Sequence, residues 1–185
     1  MSENKPEESL DSSIQKFKKL YEKSTQGNWI TRDLFFNIDE DEGTSLYGLA
    51  KQIVNRLTPE VLASNDDERF HMFGHQLTTL FKYTQDKDAL LKIAKAYEEL
   101  ADGSKDKGIV EVYSLYYYAM KNYLLADDRG SIIGFIERAM QKRHGFYSGV
   151  SALKKLDNPP RGLIDMAYNQ ATVFGKTELT AGLLD

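Results

Sequence analysis

Three possible metal ligands, Glu68, His71 and His75, recur along the chain at steps of three and four residues. Such steps place side chains on one face of an α-helix, where a carboxylate and two imidazoles could chelate zinc or another divalent cation. The Glu68–His71 step also occurs in carboxylate-bridged di-iron bundles, but those sites need a second such step and two more glutamates. The same helical face lacks the large apolar residues of the segment, which is typical of a solvated surface. A helical metal-binding protein or enzyme centred on these residues is therefore an alternative hypothesis.

Patterns of nucleophilic catalysis are missing from the sequence. The chain has no cysteine, which removes thiolate catalysis, disulfides and cysteine-ligated zinc. No serine lies in the G-x-S-x-G turn that exposes a nucleophile, and no histidine lies in a setting that marks it as a general base. We therefore predict no catalytic residue and no cofactor, and a non-enzymatic function is favoured.

A run of tyrosines marks one segment of the chain, at Tyr113, Tyr116, Tyr117, Tyr118 and Tyr123. Their rings could stack on bases or line a ligand pocket. Stacking on nucleic acid needs interleaved basic residues, and within this segment only Lys121 is basic. We therefore expect the run to pack in the core, with Tyr116 and Tyr123 buried, on a helix over residues 109–126 that is central and buried on most sides. Tyr118 is the exception, because it shares the narrow polar sector of the predicted helix with Glu111, Ser114 and Asn122.

A nucleic-acid-associated accessory factor is the second alternative. Residues 44–63 have the spacing of two short helices joined by a turn, as in a helix-turn-helix, and Lys142 and Arg143 form a basic pair. The turn glycine of that motif is missing. The formal charge of −4 also gives no overall attraction for a phosphate backbone. Nucleic acid is therefore a disfavoured partner.

The leading hypothesis is a non-enzymatic protein–protein interaction or assembly module, which binds another protein or further copies of itself. Five aromatic residues in less regular segments are candidate interface anchors: Trp29, Phe35, Phe36, Phe146 and Tyr147. Beyond Gly175, the C-terminal segment contains three leucines that should be buried against another surface, because their exposure would favour aggregation: Leu179, Leu183 and Leu184. These leucines would dock on the domain's own surface or in a partner's groove.

The candidate residues are positioned by a chain whose apolar residues recur mainly with a helical period. The pattern predicts helices over residues 10–24, 45–57, 58–63, 66–81, 90–101, 109–126, 128–144 and 163–174. Gly103 is expected beyond the C-cap of its helix. The only concentrated β-propensity, around residues 110–118, lacks the two-residue alternation of a half-buried strand. We therefore expect an all-α fold, an irregular helical bundle or a short α-solenoid of about seven to nine helices.

The length of 185 residues suits one domain with a continuous core. We predict a mobile N-terminal tail over residues 1–9, which lack large apolar side chains after Met1, followed by one helical domain over residues 10–185. The N-terminus is acidic and polar, unlike an export signal, and no apolar stretch approaches the roughly 18 residues of a membrane helix. We therefore expect a cytoplasmic protein with no membrane partner.

Overall fold

The structure, a computed structural model, describes residues 9–25, 45–66, 72–104 and 108–183. Within these ranges the chain forms nine α-helices and a short 3-10 helix: α1 Leu10–Thr25, α2 Leu46–Asn55, α3 Pro59–Asn65, α4 Met72–Thr84, α5 Lys87–Gly103, α6 Ile109–Ala126, α7 Arg129–Met140, α8 Phe146–Leu153, α9 Arg161–Phe174 and the 3-10 helix Thr177–Thr180. The same ranges contain no β-strand, which confirms the predicted all-α fold. None of the described helices is long and apolar enough to cross a membrane.

Polar side chains start several of these helices. Ser45, Thr58, Asp86 and Asp128 each accept a hydrogen bond from a backbone amide in the first turn of α2, α3, α5 and α7. Such caps satisfy amides that have no partner inside the helix, and each is worth about 1 kcal/mol. Asp66 acts over a longer distance, because its Oδ1 accepts from the amide of Gly74 at 2.8 Å.

The centre of the molecule is the pair formed by α5 and α6, which is the most extensive helix pair among the described residues. Leu115, Ala119 and Tyr123 of α6 are almost completely buried against neighbouring helices. The helices α4, α7 and α8 contact other parts of α6. The sequence prediction that residues 109–126 form a central, largely buried helix is therefore confirmed.

Two details of α5 and α6 differ from the sequence prediction. Gly103 is the last residue of α5 instead of the glycine beyond its C-cap, and Ser104 takes the cap position with a φ of −87°. A left-handed residue is not needed there, so glycine's conformational freedom is not used.

Asn122, expected in a polar sector with Glu111, is fully buried, because Thr78 donates to its Oδ1 at 2.9 Å and its Nδ2 donates to a backbone carbonyl. A paired amide can lie in a core that an unpaired amide could not enter.

The C-terminal segment folds back on the domain after Gly175, whose φ of 65° ends α9 in the left-handed conformation. Leu179 packs against the core and Leu183 is buried. Tyr168 donates a hydrogen bond to the carbonyl of Thr180, and Lys154 donates to that of Ala181. As far as residue 183, the leucines are therefore covered by the chain's own surface.

Asp86 ties α2 to the start of α5. Its carboxylate accepts hydrogen bonds from Lys51 Nζ at 2.5 Å and from the hydroxyl of Tyr47 at 2.8 Å, in addition to its cap on the amide of Ala89 at 3.0 Å. Burial alone would raise the pKa of this carboxyl, but the hydrogen bonds outweigh burial and hold the pKa below its usual value. The ionised form of Asp86 therefore stabilises the fold.

Replacing Asp86 by asparagine is expected to lower the free energy of unfolding by about 1 kcal/mol at neutral pH. Asparagine keeps the helix cap but loses the charge that pairs with Lys51. Because the folded pKa is depressed, the wild-type advantage is present above the unfolded pKa of about 3.9 and is lost as the pH falls through the folded value. Urea unfolding of both proteins across this pH range measures the difference, and an advantage that does not shrink in acid would contradict the assignment.

Candidate functional site

Exposed apolar side chains gather on one side of α6. Within the described ranges, six large apolar or aromatic side chains are exposed: Met72, Tyr83, Val110, Tyr117, Tyr147 and Val173. Three of them, Val110, Tyr117 and Tyr147, line the same groove. Single exposed apolar residues are ordinary on a protein surface, whereas a cluster marks an interaction site. This groove is therefore the candidate functional site.

We call this depression the tyrosine groove, and its volume is about 540 Å³. Seven of the described residues line it: Val110, Tyr113, Ser114, Tyr117, Tyr118, Tyr147 and Lys176. The first five lie on α6, Tyr147 lies in the first turn of α8, and Lys176 follows α9. The groove is open to solvent instead of enclosed. An open, aromatic groove suits a segment of polypeptide better than a small molecule that needs to be engulfed.

The floor of the tyrosine groove is anchored in the core. The ring of Tyr118 stacks on the buried ring of Tyr97 with centroids 5.4 Å apart, and the ring of Tyr117 meets Tyr118 edge-on at 5.7 Å. Tyr97 in turn donates a hydrogen bond to Asp66 Oδ2 at 3.0 Å. These contacts fix the rings before any partner arrives, so little side-chain entropy is lost on binding.

The tyrosine run divides between the core and the groove. Tyr116 and Tyr123 are each 2% exposed, which confirms their predicted burial. Burial raises the pKa of both hydroxyls, and the neighbouring carboxylates of Asp102 and Glu98 raise it further, so both tyrosines stay protonated donors at neutral pH. Packing does not account for Tyr117, which is 48% exposed. The expectation that the whole run packs in the core is therefore wrong for this residue.

The pair Phe146 and Tyr147 does not lie in an irregular segment, because the two residues open α8. Phe146 is completely buried and packs edge-on against Phe174 with ring centroids 5.5 Å apart. Tyr147 points the other way, is 52% exposed and lines the tyrosine groove. Of the two proposed anchors, Tyr147 is therefore the one at the surface.

Several predicted site residues lie outside the described part of the chain: Trp29, Phe35, Phe36, Glu68, His71 and Leu184. The third proposed metal ligand, His75, is an exposed residue of α4. Partial burial and the positive charge of Lys121 lower its pKa. Among the described residues, no group of three or more histidine or acidic side chains could hold a metal ion. The metal hypothesis needs Glu68 and His71 and so stays a prediction.

The region proposed to read nucleic acid has little positive charge where the structure describes it. The second of its two helices, α3, is seven residues long, contains no lysine or arginine and exposes Glu60. Contact with a duplex relies on basic side chains that neutralise phosphates. Lys142 of the basic pair already forms an ion pair with Asp102. These features do not support a nucleic-acid interface at residues 45–66.

The α6 residues of the groove were not singled out from the sequence as binding residues, although a signal was present. Val110, Ser114 and Tyr117 follow one another at steps of four and three residues and form a stripe along the helix. A helix that is apolar all round is expected to be buried all round. Only the positions of the neighbouring helices show that this stripe is left uncovered.

No protein-family model, curated protein or solved structure matches this chain.

Proposed function

We propose that this protein is a non-enzymatic interaction module that binds an extended segment of another protein in the tyrosine groove. The observation that carries the proposal is the clustering of three exposed apolar side chains, Val110, Tyr117 and Tyr147, in one groove. The anchored rings of Tyr118 and Tyr97 beneath it support the proposal, because a rigid aromatic floor is a property of tight binding sites.

The lining indicates the chemistry of the bound segment. Four tyrosines provide flat apolar faces together with hydroxyls that can donate and accept hydrogen bonds. Grooves lined by aromatic rings bind extended segments, including proline-containing ones, by packing side chains between the rings while the hydroxyls bind backbone carbonyls. Lys176 is the only charged residue among the described residues of the lining, so a cationic segment is disfavoured. The expected partner segment is extended, apolar and neutral or acidic.

A second copy of the chain is a poorer occupant than a segment of another protein. A two-fold dimer places the same surface patch of each copy against the other, which requires a self-complementary patch. The tyrosine groove is concave, and two concave surfaces do not fill each other. A protruding segment fills the groove without that difficulty.

The proposal predicts that Tyr117→Ala and Tyr147→Ala each weaken binding of a groove ligand at least about tenfold, because each removes an exposed aromatic contact. The ligands are peptides of about twelve residues, selected from a random displayed library on the wild-type protein, with dissociation constants measured by isothermal titration calorimetry. Because both tyrosines are about half exposed, the melting temperatures of the two variants should stay close to that of the wild type.

Tyr83→Ala is the matched control. Tyr83 is 54% exposed, similar to Tyr117 and Tyr147, but it lies on α4 and does not line the groove. Its replacement should leave peptide binding unchanged. A library that yields no binding peptide, or peptides whose affinity falls equally for all three variants, would contradict the proposal.

A further inference from the structure

A second depression lies beside the tyrosine groove, and its chemistry is different. It encloses about 400 Å³ and is lined by Ala101, Asp102, Ser104, Val112, Tyr116, Lys142, Arg143 and His144. We call it the basic cleft. The helices α5 and α6 and the turn after α7 form its walls. Its basic side chains, among the described residues, lie in the turn, at residues 142–144.

Among the described residues of the basic cleft, one positive charge is not neutralised. The carboxylate of Asp102 is satisfied by two neighbours, because Lys142 forms an ion pair with Oδ2 and the hydroxyl of Tyr116 donates to Oδ1 at 2.5 Å. Arg143 is exposed, and its guanidinium has no hydrogen-bond or ion-pair partner among the described residues. A guanidinium with its donors unused is suited to a carboxylate or phosphoryl group, which it can bind through two parallel hydrogen bonds.

His144 adds an imidazole to the same cleft. Its Nδ1 is buried and has no hydrogen-bond partner in the described part of the chain. A buried N–H without a partner is rarer in proteins than a buried acceptor without one, which favours a ring that donates from Nε2. Arg143 and His144 are neighbours in sequence, which places both donors at the same turn.

The basic cleft and the tyrosine groove meet at one ring contact. His144 lines the cleft, Tyr113 lines the groove, and their rings pack at right angles with centroids 5.4 Å apart. Tyr113 and Tyr116 are also three residues apart on α6, a rise of about 4.5 Å along the helix axis. An extended segment rises about 3.3 Å per residue, so one segment can reach both sites within a few residues.

We infer that the segment bound in the tyrosine groove carries an anionic side chain, phosphoryl or carboxylate, that binds in the basic cleft. This inference rests on the proposed function and specifies the chemistry of the partner. The whole chain has a formal charge of −4, so its overall field does not attract anions. One unpaired guanidinium therefore binds an anion effectively when the rest of the ligand is already held in the groove, since the second contact is then made within one complex.

The test uses one groove-binding peptide from the library in three forms, which carry phosphoserine, glutamate or serine at one position. The three forms are made for each position along the peptide in turn. At the best position, the phosphoserine form should bind the wild-type protein at least about tenfold more tightly than the serine form. The affinity of the glutamate form should lie between those of the other two. Comparing the glutamate form with the phosphoserine form separates a carboxylate source of the charge from a phosphoryl source. In Arg143→Gln the ratio between phosphoserine and serine forms should fall to near one.

Lys155→Gln is the matched control, because it also removes one positive charge but lies on the surface away from the cleft. It should keep the ratio between the phosphoserine and serine forms. An equal affinity of the three forms at every position, or a ratio that survives in Arg143→Gln, would overturn the inference while leaving the groove intact. A different result would overturn the proposed function. In that case the ratio between the phosphoserine and serine forms depends on Arg143, but Tyr117→Ala does not weaken binding of the peptide.

Discussion

Gly74→Ala is expected to destabilise the protein by about 3 kcal/mol, although it adds a single methyl group. A Cβ at this position would lie 1.9 Å from the hydroxyl oxygen of Tyr97 and 2.6 Å from the ring carbon that bears it. Tyr97 cannot retreat, because it is completely buried, hydrogen-bonded to Asp66 and stacked on Tyr118. Either the ring or α4 has to move, and both movements disturb close-packed surroundings.

The control for this effect is Gly162→Ala, also in a helix but with open space where the Cβ would lie. It should leave stability unchanged or raise it slightly, because alanine is the better helix former. Tyr97→Leu provides the second check. Once the phenol is gone, adding Gly74→Ala should cost under about 1 kcal/mol, since the clash no longer exists. Chemical denaturation of the four variants measures these differences, and an additive cost in the double variant would contradict the geometry.

Arg138→Met is expected to cost about 3 kcal/mol at neutral pH, because it leaves a buried carboxylate without its cation. Glu98 is 4% exposed, and Arg138 binds it through two hydrogen bonds, from Nε to Oε1 at 2.7 Å and from Nη2 to Oε2 at 2.9 Å. Tyr123 donates a third bond at 2.8 Å. Methionine keeps much of the apolar contact made by the arginine stem, so the loss reports chiefly the missing charge and hydrogen bonds.

The double variant Glu98→Gln, Arg138→Met should recover most of that loss. A neutral amide has no charge that requires neutralising and can still accept the hydrogen bond of Tyr123. Arg161→Met is the comparison, because Arg161 pairs with Asp165 on the exposed surface of α9. Its loss should change stability by less than about 1 kcal/mol. Equal costs for Arg138→Met and Arg161→Met in urea unfolding would contradict the role given to Arg138 as the cation that neutralises the buried Glu98.

The helices could be predicted from the sequence because their signals are local. Thr58 followed by Pro59 marks the start of α3, and Asp128 caps α7 through an amide only three residues away. The apolar period of three and four residues likewise gave the buried face of α5 and the central position of α6. Such patterns operate within one helix and do not depend on the arrangement of the others.

Long-range pairing explains the features that the sequence did not reveal. Asn122 is polar and was expected in the polar sector of α6, yet Thr78, which is 44 residues away, provides the hydrogen bond that allows its burial. Phe146 and Tyr147 are adjacent aromatic residues with opposite environments, because consecutive residues point to different sides of a helix.

The candidate site depended on the same kind of information. The four tyrosines of the groove are conspicuous in the sequence, but whether they pack or bind depends on which stripe of α6 the other helices cover. The basic cleft depends on more distant contacts, because Asp102 lies on α5, Lys142 lies in the turn after α7, and the two neutralise each other only after folding. That pairing determines that Arg143, and not Lys142, carries the unpaired charge.

The central claim is that the tyrosine groove holds a segment of another protein in the cell of origin. Its most direct test is photo-crosslinking with a benzophenone amino acid placed at position 117, 147 or 83 in separate variants, followed by mass spectrometry of the crosslinked peptides. We expect positions 117 and 147 to crosslink the same short segment of one partner protein, and position 83 not to crosslink it. Crosslinks from 117 and 147 to this chain itself, to unrelated peptides, or at no greater yield than from position 83 would contradict the claim.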